Sequence, residues 1–232
     1  MRTLNKHNLN NSQLKAAMHV DGPALVLAGA GSGKTRVLAE RVCNLVKYGK
    51  ARSYEILALT FTNKAAEEMK ARINSLLGKR YDFPWVGTFH SLAHRILRTH
   101  SIEANLSSNF QILDAQDQFR IVKRLMKENA IDETKFPIKK VQWFINQQKD
   151  EGLSPQEIDS GYNYFVKQST KIFELYEKYC QANDLVDFAG LLVKSYELLK
   201  NNKSLLEHYQ KRFHHILIDE FQDTNRIQYQ WI

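Results

Sequence analysis

Ala24-Leu25-Val26-Leu27-Ala28-Gly29-Ala30-Gly31-Ser32-Gly33-Lys34-Thr35 passes from an apolar run through a glycine-rich turn into a helical pattern. The run Ala24–Ala28 predicts a buried strand. Thr35 to Lys47, with Leu38, Val42 and Leu45 on one face and Gly49 as a stop, predicts a helix. A small-residue turn ending in Gly-Lys-Thr, set between strand and helix, is the context a phosphate-binding loop requires. Its small residues let backbone N–H groups turn onto phosphate oxygens, and the helix N-terminus adds positive potential. On this reading Ala28, Gly29, Ala30, Gly31, Ser32 and Gly33 cradle the phosphates. Lys34 neutralises charge on the β- and γ-phosphates, and the Thr35 hydroxyl helps hold Mg²⁺.

Working outward, the same strand–turn–helix pattern recurs. Ile56–Phe61 leads into Asn63–Leu77, ended by Gly78, and Trp85–Thr88 leads into Ser91–Arg98. Repetition of this unit predicts an α/β fold with a parallel sheet flanked by helices, whose ligands bind beyond the carboxyl ends of the strands. A last apolar run, Ile216–Ile218, delivers Asp219 and Glu220 at its end. Beside a phosphate loop, Asp219 fits a Mg²⁺ ligand and Glu220 the base that orients or activates an attacking water. Asp219 stands 185 positions after Lys34, more chain than a compact nucleotide fold needs between these two motifs. The middle supplies the explanation. From Asp114, a candidate N-cap, to about Lys211 the pattern is helical, with Lys167–Ala182 and Phe188–Lys200 as amphipathic stretches and almost no strand signal. An inserted all-helical subdomain is expected there.

The bulk numbers set the class. Hydrophobic residues make up 43% and charged residues 25% of the 232, ordinary for a globular chain. Thirty-three basic against 25 acidic side chains leave a formal charge of +8, which favours a polyanionic partner such as nucleic acid. Cys43 and Cys180 form no CxxC pattern, so neither a disulfide framework nor a zinc site is indicated. The pair His214–His215 lacks partner ligands and is not read as a metal site. Met1 to Asn11 is polar, unlike a signal peptide, and no run reaches the roughly 20 apolar residues of a membrane helix. A cytosolic protein without membrane partners is expected.

Four blocks then occur in a telling order: Ala28 to Arg36, Leu59-Thr60-Phe61-Thr62-Asn63-Lys64-Ala65-Ala66, Gly87-Thr88-Phe89-His90-Ser91 and Asp219-Glu220-Phe221-Gln222-Asp223-Thr224. In sequence and order they resemble the UvrD/Rep/PcrA helicases of superfamily 1, over essentially the whole chain. The resemblance implies a RecA-like P-loop NTPase domain, residues 1–109 and 201–232, with a helical insertion at 110–200. It implies ATP and Mg²⁺ as cofactors and an ATP-dependent 3′–5′ DNA helicase acting in nucleotide excision and mismatch repair. Single-stranded DNA and single/double-strand junctions are the implied partners, with repair proteins as further candidates, a monomer or weak dimer as the assembly, and the bacterial cytoplasm and nucleoid as the location.

Individual roles follow from the same resemblance. Leu9-Asn10-Asn11-Ser12-Gln13 resembles the Q motif, in which Gln13 hydrogen-bonds the adenine. Arg36 either reaches the nucleotide or is a solvated helix residue. Phe61, Thr62 and Asn63 match one single-strand contact motif, Thr88, Phe89 and His90 another, and Phe188 a third position near the DNA. An aromatic at a strand end can stack on any base. Lys64 and Lys149 are candidate phosphate contacts. The chain departs from the family at Gly190, where many relatives carry an acidic residue, which leaves the start of that helix for the structure to decide.

Ile232 falls inside a helix expected to start near Asn225, before a Gly-Asp…Gln-Ser-Ile-Tyr block of the family. The reading therefore expects one of two motor halves, able to bind Mg-nucleotide and DNA weakly but not to unwind duplex alone. Two other classes share the scaffold: a helicase–nuclease subunit of the RecB or AddA type, and a non-enzymatic ATP- or DNA-binding module. A small-molecule kinase shares the loop but gives the Thr-Phe-Thr-Asn-Lys block no role.

Overall fold

Ile56–Thr60 (β1) is apolar along most of its length and buried at every position, the burial of a strand covered on both faces. In the computed structural model, which describes residues 9–20, 22–29, 31–78 and 81–232, β1 is the centre of a three-stranded parallel sheet. Val86–Thr88 (β2) pairs on one side, with Thr60 opposite Thr88. His215–Ile218 (β5) pairs on the other, with Leu59 opposite Ile218. All three strands end at the same edge of the sheet.

The chain divides into two compact units: residues up to Leu92 with Ser204–Gln222, and Ala93–Lys203 with Asp223–Ile232. In the first, Asn11–Met18 (α1) is opened by a reciprocal cap between Asn10 and Gln13. Lys34–Lys47 (α2) turns Val42, Cys43 and Leu45 inward, and Asn63–Leu77 (α3) turns Met69 and Ile73 onto the same core. Thr62 caps α3 by accepting from the Ala65 N–H, and Gly78, with φ of 80°, ends it. Phe89–Thr99 (α4) starts directly after β2. Trp85 is held edge-on by Tyr209 and Phe213, at 5.7 and 5.0 Å between ring centres.

One expected strand does not form. Ala24–Ala28 joins no ladder, and Leu25 and Leu27 are 72% and 85% exposed. A strand draws its stability from a neighbour that satisfies its N–H and C=O groups. Among the described residues β5 pairs with β1 alone, and its Ile216 is exposed. That outer edge of β5 is open to a partner, yet Ala24–Ala28 does not pair with it, so apolar composition alone does not make a strand.

The second unit carries Gln111–Leu113 (β3), Ala115–Glu128 (α5), Ile138–Asp150 (α6), Tyr164–Ala182 (α7), Leu185–Asp187 (β4) and Phe188–Asn201 (α8). Lys203–Arg212 (α9) then returns the chain to the first unit, and after β5 Arg226–Trp231 (α10), capped by Asn225, belongs to the second. Asp114 caps α5 by accepting from the Gln116 and Asp117 N–H groups. The helices close around Val122, Met126, Ile145, Ile172 and Phe173. The unit departs from the all-helical expectation: β3 and β4 form a short parallel ladder, Leu113 opposite Asp187. Three-residue strands flanked by helices leave no alternation long enough to read.

Lys149 lies inside the second unit rather than on its surface. It is not an exposed phosphate contact but 4% exposed, its ammonium 2.8 Å from the Asp187 carboxylate and 2.6 Å from that of Glu177. Burial alone would lower the lysine's pKa; the charges of Asp187 and Glu177 outweigh it and raise the value. Burial likewise pushes Asp187 up, and Lys149 with its hydrogen bonds brings it below the usual carboxylate range. Burial pushes both thiols, Cys43 and Cys180, up to about 12. A raised ammonium stabilises the fold below its unfolded pKa and loses that contribution as pH rises through the folded value. A lowered carboxyl stabilises above its unfolded pKa and loses that as pH falls through the folded value. The pair's contribution should therefore be complete between about pH 4 and pH 10. Lys149→Met, which leaves Asp187 buried without its cation, should cost about 3–5 kcal/mol in urea unfolding.

Candidate active site

The loop before α2 reaches its shape through glycine. Gly31 and Gly33 have φ of 74° and 84°, a region where a Cβ is strained. Gly33 opens α2 with no side-chain cap, and the first helical bond runs from the Val37 N–H to the Gly33 carbonyl. The N–H groups of the first turn are thereby left for a ligand at the positive end of the helix. Gln13 reaches across and donates from Nε2 to the Ser32 carbonyl at 2.8 Å. The residue thus both caps α1 and holds the loop. Ala30 lies outside the described residues.

Two carboxylates meet this loop from β5. Asp219 extends the ladder by donating its N–H to the Leu59 carbonyl at 2.9 Å, which aims its buried side chain at α2. The Thr35 hydroxyl donates to Asp219 Oδ2 at 2.8 Å across 184 positions of sequence. Lys34 Nζ donates to the carbonyls of Ala28 and Gly29 at 3.1 and 3.4 Å and stands 3.7 Å from Glu220 Oε1. Glu220 has φ of 51°, a left-handed conformation that costs a non-glycine residue about 1–3 kcal/mol. Its second oxygen accepts from Gln222 Nε2 at 2.6 Å. The chain turns away from the strand here in a single residue and swings the carboxylate back over the loop.

Lys34, Thr35 and Glu220 line a cavity of about 600 Å³ that extends from Gly31 to Arg36 and includes Gln222. Glu68 and Arg72 of α3 line it as well. Sequence reasoning passed over both, because an exposed acid and base four residues apart on a helix read as ordinary solvation. Among the described residues no group of three or more His, Cys, Asp or Glu could hold a metal ion by itself. Thr35 and Asp219 offer hard oxygen donors side by side, which suits Mg²⁺. That ion is usually held by one or two protein oxygens together with substrate phosphates and water. The donor set therefore fits the implied ion.

Beyond β1 and β2 the candidate DNA residues divide. Thr62 and Asn63 are exposed and Phe61 is half-buried. Phe89, at 1% exposure, lies beneath Phe61 with ring centres 5.7 Å apart, so its side chain supports that surface rather than forming it. Thr88 is buried and exchanges hydrogen bonds with Ser91. A Cβ on Gly87 would meet Ser91 Oγ at 2.7 Å, which accounts for a glycine there. His90 is half-buried, and burial lowers its pKa, which favours the neutral ring. In the second unit Phe188 is 57% exposed at the first position of α8. The start of that helix is definite: Asp187 accepts from the Gly190 N–H at 2.6 Å.

Comparison with known proteins bears on this arrangement. Residues 9–232 match the model of the UvrD/REP helicase N-terminal domain. The chain is 50% identical to DNA helicase II of Escherichia coli (strain K12) over 225 residues, 97% of this chain and 31% of that protein. It is 43% identical to a probable DNA helicase II homolog of Rickettsia conorii over 97% of the chain and 35% of the relative. It is 40% identical to the ATP-dependent DNA helicase PcrA of Bacillus subtilis over 95% of the chain and 30% of the relative. The chain spans about a third of the length of these curated relatives.

Thr35→Val removes the hydroxyl donor from a buried carboxylate and should cost about 1–3 kcal/mol of stability without ligand. In calorimetric titration it should weaken nucleotide binding more with Mg²⁺ present than with the ion chelated.

Proposed function

Because the chain belongs to the UvrD/REP helicase N-terminal domain family, we propose that its phosphate loop and two carboxylates are the ATP-hydrolysing site of a DNA helicase. One observation carries the reading: despite their separation in sequence, Lys34 stands beside Glu220 and the Thr35 hydroxyl bonds to Asp219, and Lys34, Thr35 and Glu220 line one cavity.

The residues divide the work. The N–H groups opening α2 and the freed Lys34 ammonium take the phosphate oxygens, and the same amine leaves the carbonyls of Ala28 and Gly29 to do so. Thr35 and Asp219 would hold Mg²⁺, which when bound neutralises charge on the β- and γ-phosphates. Glu220, already oriented by Gln222, accepts the proton of the attacking water or fixes its lone pair towards phosphorus. Electrostatic positioning of this kind supplies most of the catalysis in phosphoryl transfer. Arg36 and Arg72 face the same cavity and add positive charge beside the phosphates.

Phe61, with Thr62 and Asn63 beside it, forms the surface at the carboxyl end of β1 on which a base of single-stranded DNA stacks. Phe188 offers a second aromatic face, borne by the other unit. The chain's surplus of basic residues favours such a polyanion. Translocation 3′ to 5′, duplex unwinding and a role in excision and mismatch repair are what the resemblance implies for the longer motor. For the chain by itself we expect weak nucleotide and DNA binding, slow hydrolysis and no unwinding.

The reading is tested on the longer protein that carries both motor halves, by ATP hydrolysis with and without single-stranded DNA. Stimulation by DNA is expected, together with a loss of about two orders of magnitude or more in Lys34→Ala and in Glu220→Gln. Glu220→Gln should retain nucleotide binding, since the phosphate cradle is intact. Hydrolysis indifferent to DNA would remove the motor reading, and binding without hydrolysis would favour a non-enzymatic module.

A further inference from the structure

Asp187 is the most heavily engaged carboxylate among the described residues of the second unit. It accepts from Lys149 Nζ at 2.8 and 3.0 Å, Tyr176 Oη at 2.8 Å, Gln118 Nε2 at 3.0 Å and the Gly190 N–H at 2.6 Å. The donors come from α5, α6, α7 and the first turn of α8, so four separate helices meet on one side chain. Its backbone sits in the β3–β4 ladder opposite Leu113. Replacing a buried ion pair by packed hydrophobic groups often leaves a fold as stable or more so, which makes such a pair a poor device for stability alone. It is a good device for fixing direction, because each hydrogen bond specifies an angle as well as a distance.

The residue so fixed is the neighbour of Phe188. That ring is 57% exposed, at the junction where β4 becomes α8 with no intervening loop. Its Cα cannot shift without disturbing either the ladder or the cap. A large aromatic held outward from an immobile backbone loses little freedom when a flat partner stacks on it, and that preorganisation appears as affinity.

We propose that Asp187, with Lys149 and Tyr176, is a positioning group that aims Phe188 at a base of single-stranded nucleic acid. The proposal rests on the reading of Phe188 as a DNA contact. Gln118 joins the carboxylate from α5 and is itself held by Asn146 and Gln142 of α6, so the support extends a further layer from the ring.

Three variants of the full chain, titrated with fluorescent oligo(dT), test it. Phe188→Ala should weaken binding about tenfold, within the range for loss of one stacked base. Tyr176→Phe removes one hydrogen bond to Asp187 and leaves no charge unpaired, so the fold should survive; it should weaken binding roughly threefold, the range left when one of several supports is lost. The double variant should bind no more weakly than Phe188→Ala, because both changes act through one ring. Amide exchange at Phe188 should quicken in Tyr176→Phe, while nucleotide affinity at the phosphate loop is unchanged. Additive losses in the double variant, or unaltered binding in Tyr176→Phe, would overturn the positioning role. Unaltered binding in Phe188→Ala would instead remove the DNA contact on which it rests.

Discussion

The pairing of β5 with β1 is the constraint on which the rest depends. Its register places Ile218 beside Leu59 and so puts Asp219 one step beyond, where its N–H still reaches the Leu59 carbonyl. A slip of one residue would turn Asp219 to the opposite face of the sheet and break its contact with Thr35. Nothing local enforces that register, since the two strands are separated by more than half the chain. It is enforced by burial: Leu217 must enter the core formed with Ile56, Ala58 and Val86. Chemistry at the strand ends is thereby set by apolar packing in their middles.

The second unit solves a related problem by other means. Its helices bury a conventional apolar core, yet Lys149, Asp187 and Glu177 gather beside it. Apolar contacts tolerate small rotations, because dispersion is weakly directional. A carboxylate shared by four helices does not. The unit therefore combines a core that supplies stability with a polar junction that supplies direction, and Phe188 stands at that junction.

Much of this was legible in the sequence, for identifiable reasons. The loop from Ala28 to Thr35 announces itself because glycine, lysine and threonine at fixed spacing have few other uses. The strands Ile56–Thr60 and Val86–Thr88 and the helices after them follow from runs of apolar residues leading into helical patterns, the first of them stopped by Gly78. Ala24–Ala28 misled because a strand is a property of two chains of backbone, and composition reports only one. Lys149 misled because its environment is assembled from helices distant in sequence. Glu68 and Arg72 were silent because their spacing is that of any solvated helix face. Gln13 carried no mark of its reach to Ser32, which depends on how α1 lies against the loop. In each case the missing term was tertiary.

Strain and permission are distributed to the same end. Gly31 and Gly33 take positive φ at no cost in side-chain contacts, and Glu220 takes it at a cost. All three lie at the cavity wall, beside a sheet whose central strand β1 is buried at every position. A carboxylate that continued straight from β5 would follow the direction of the strand. The left-handed turn at Glu220 is what brings it within 3.7 Å of Lys34 and lets Gln222 hold it there. An unstrained backbone at this residue would be more stable and would separate the Glu220 carboxylate from the Lys34 ammonium. The site thus gives up local stability at the one residue that brings its carboxylate to Lys34.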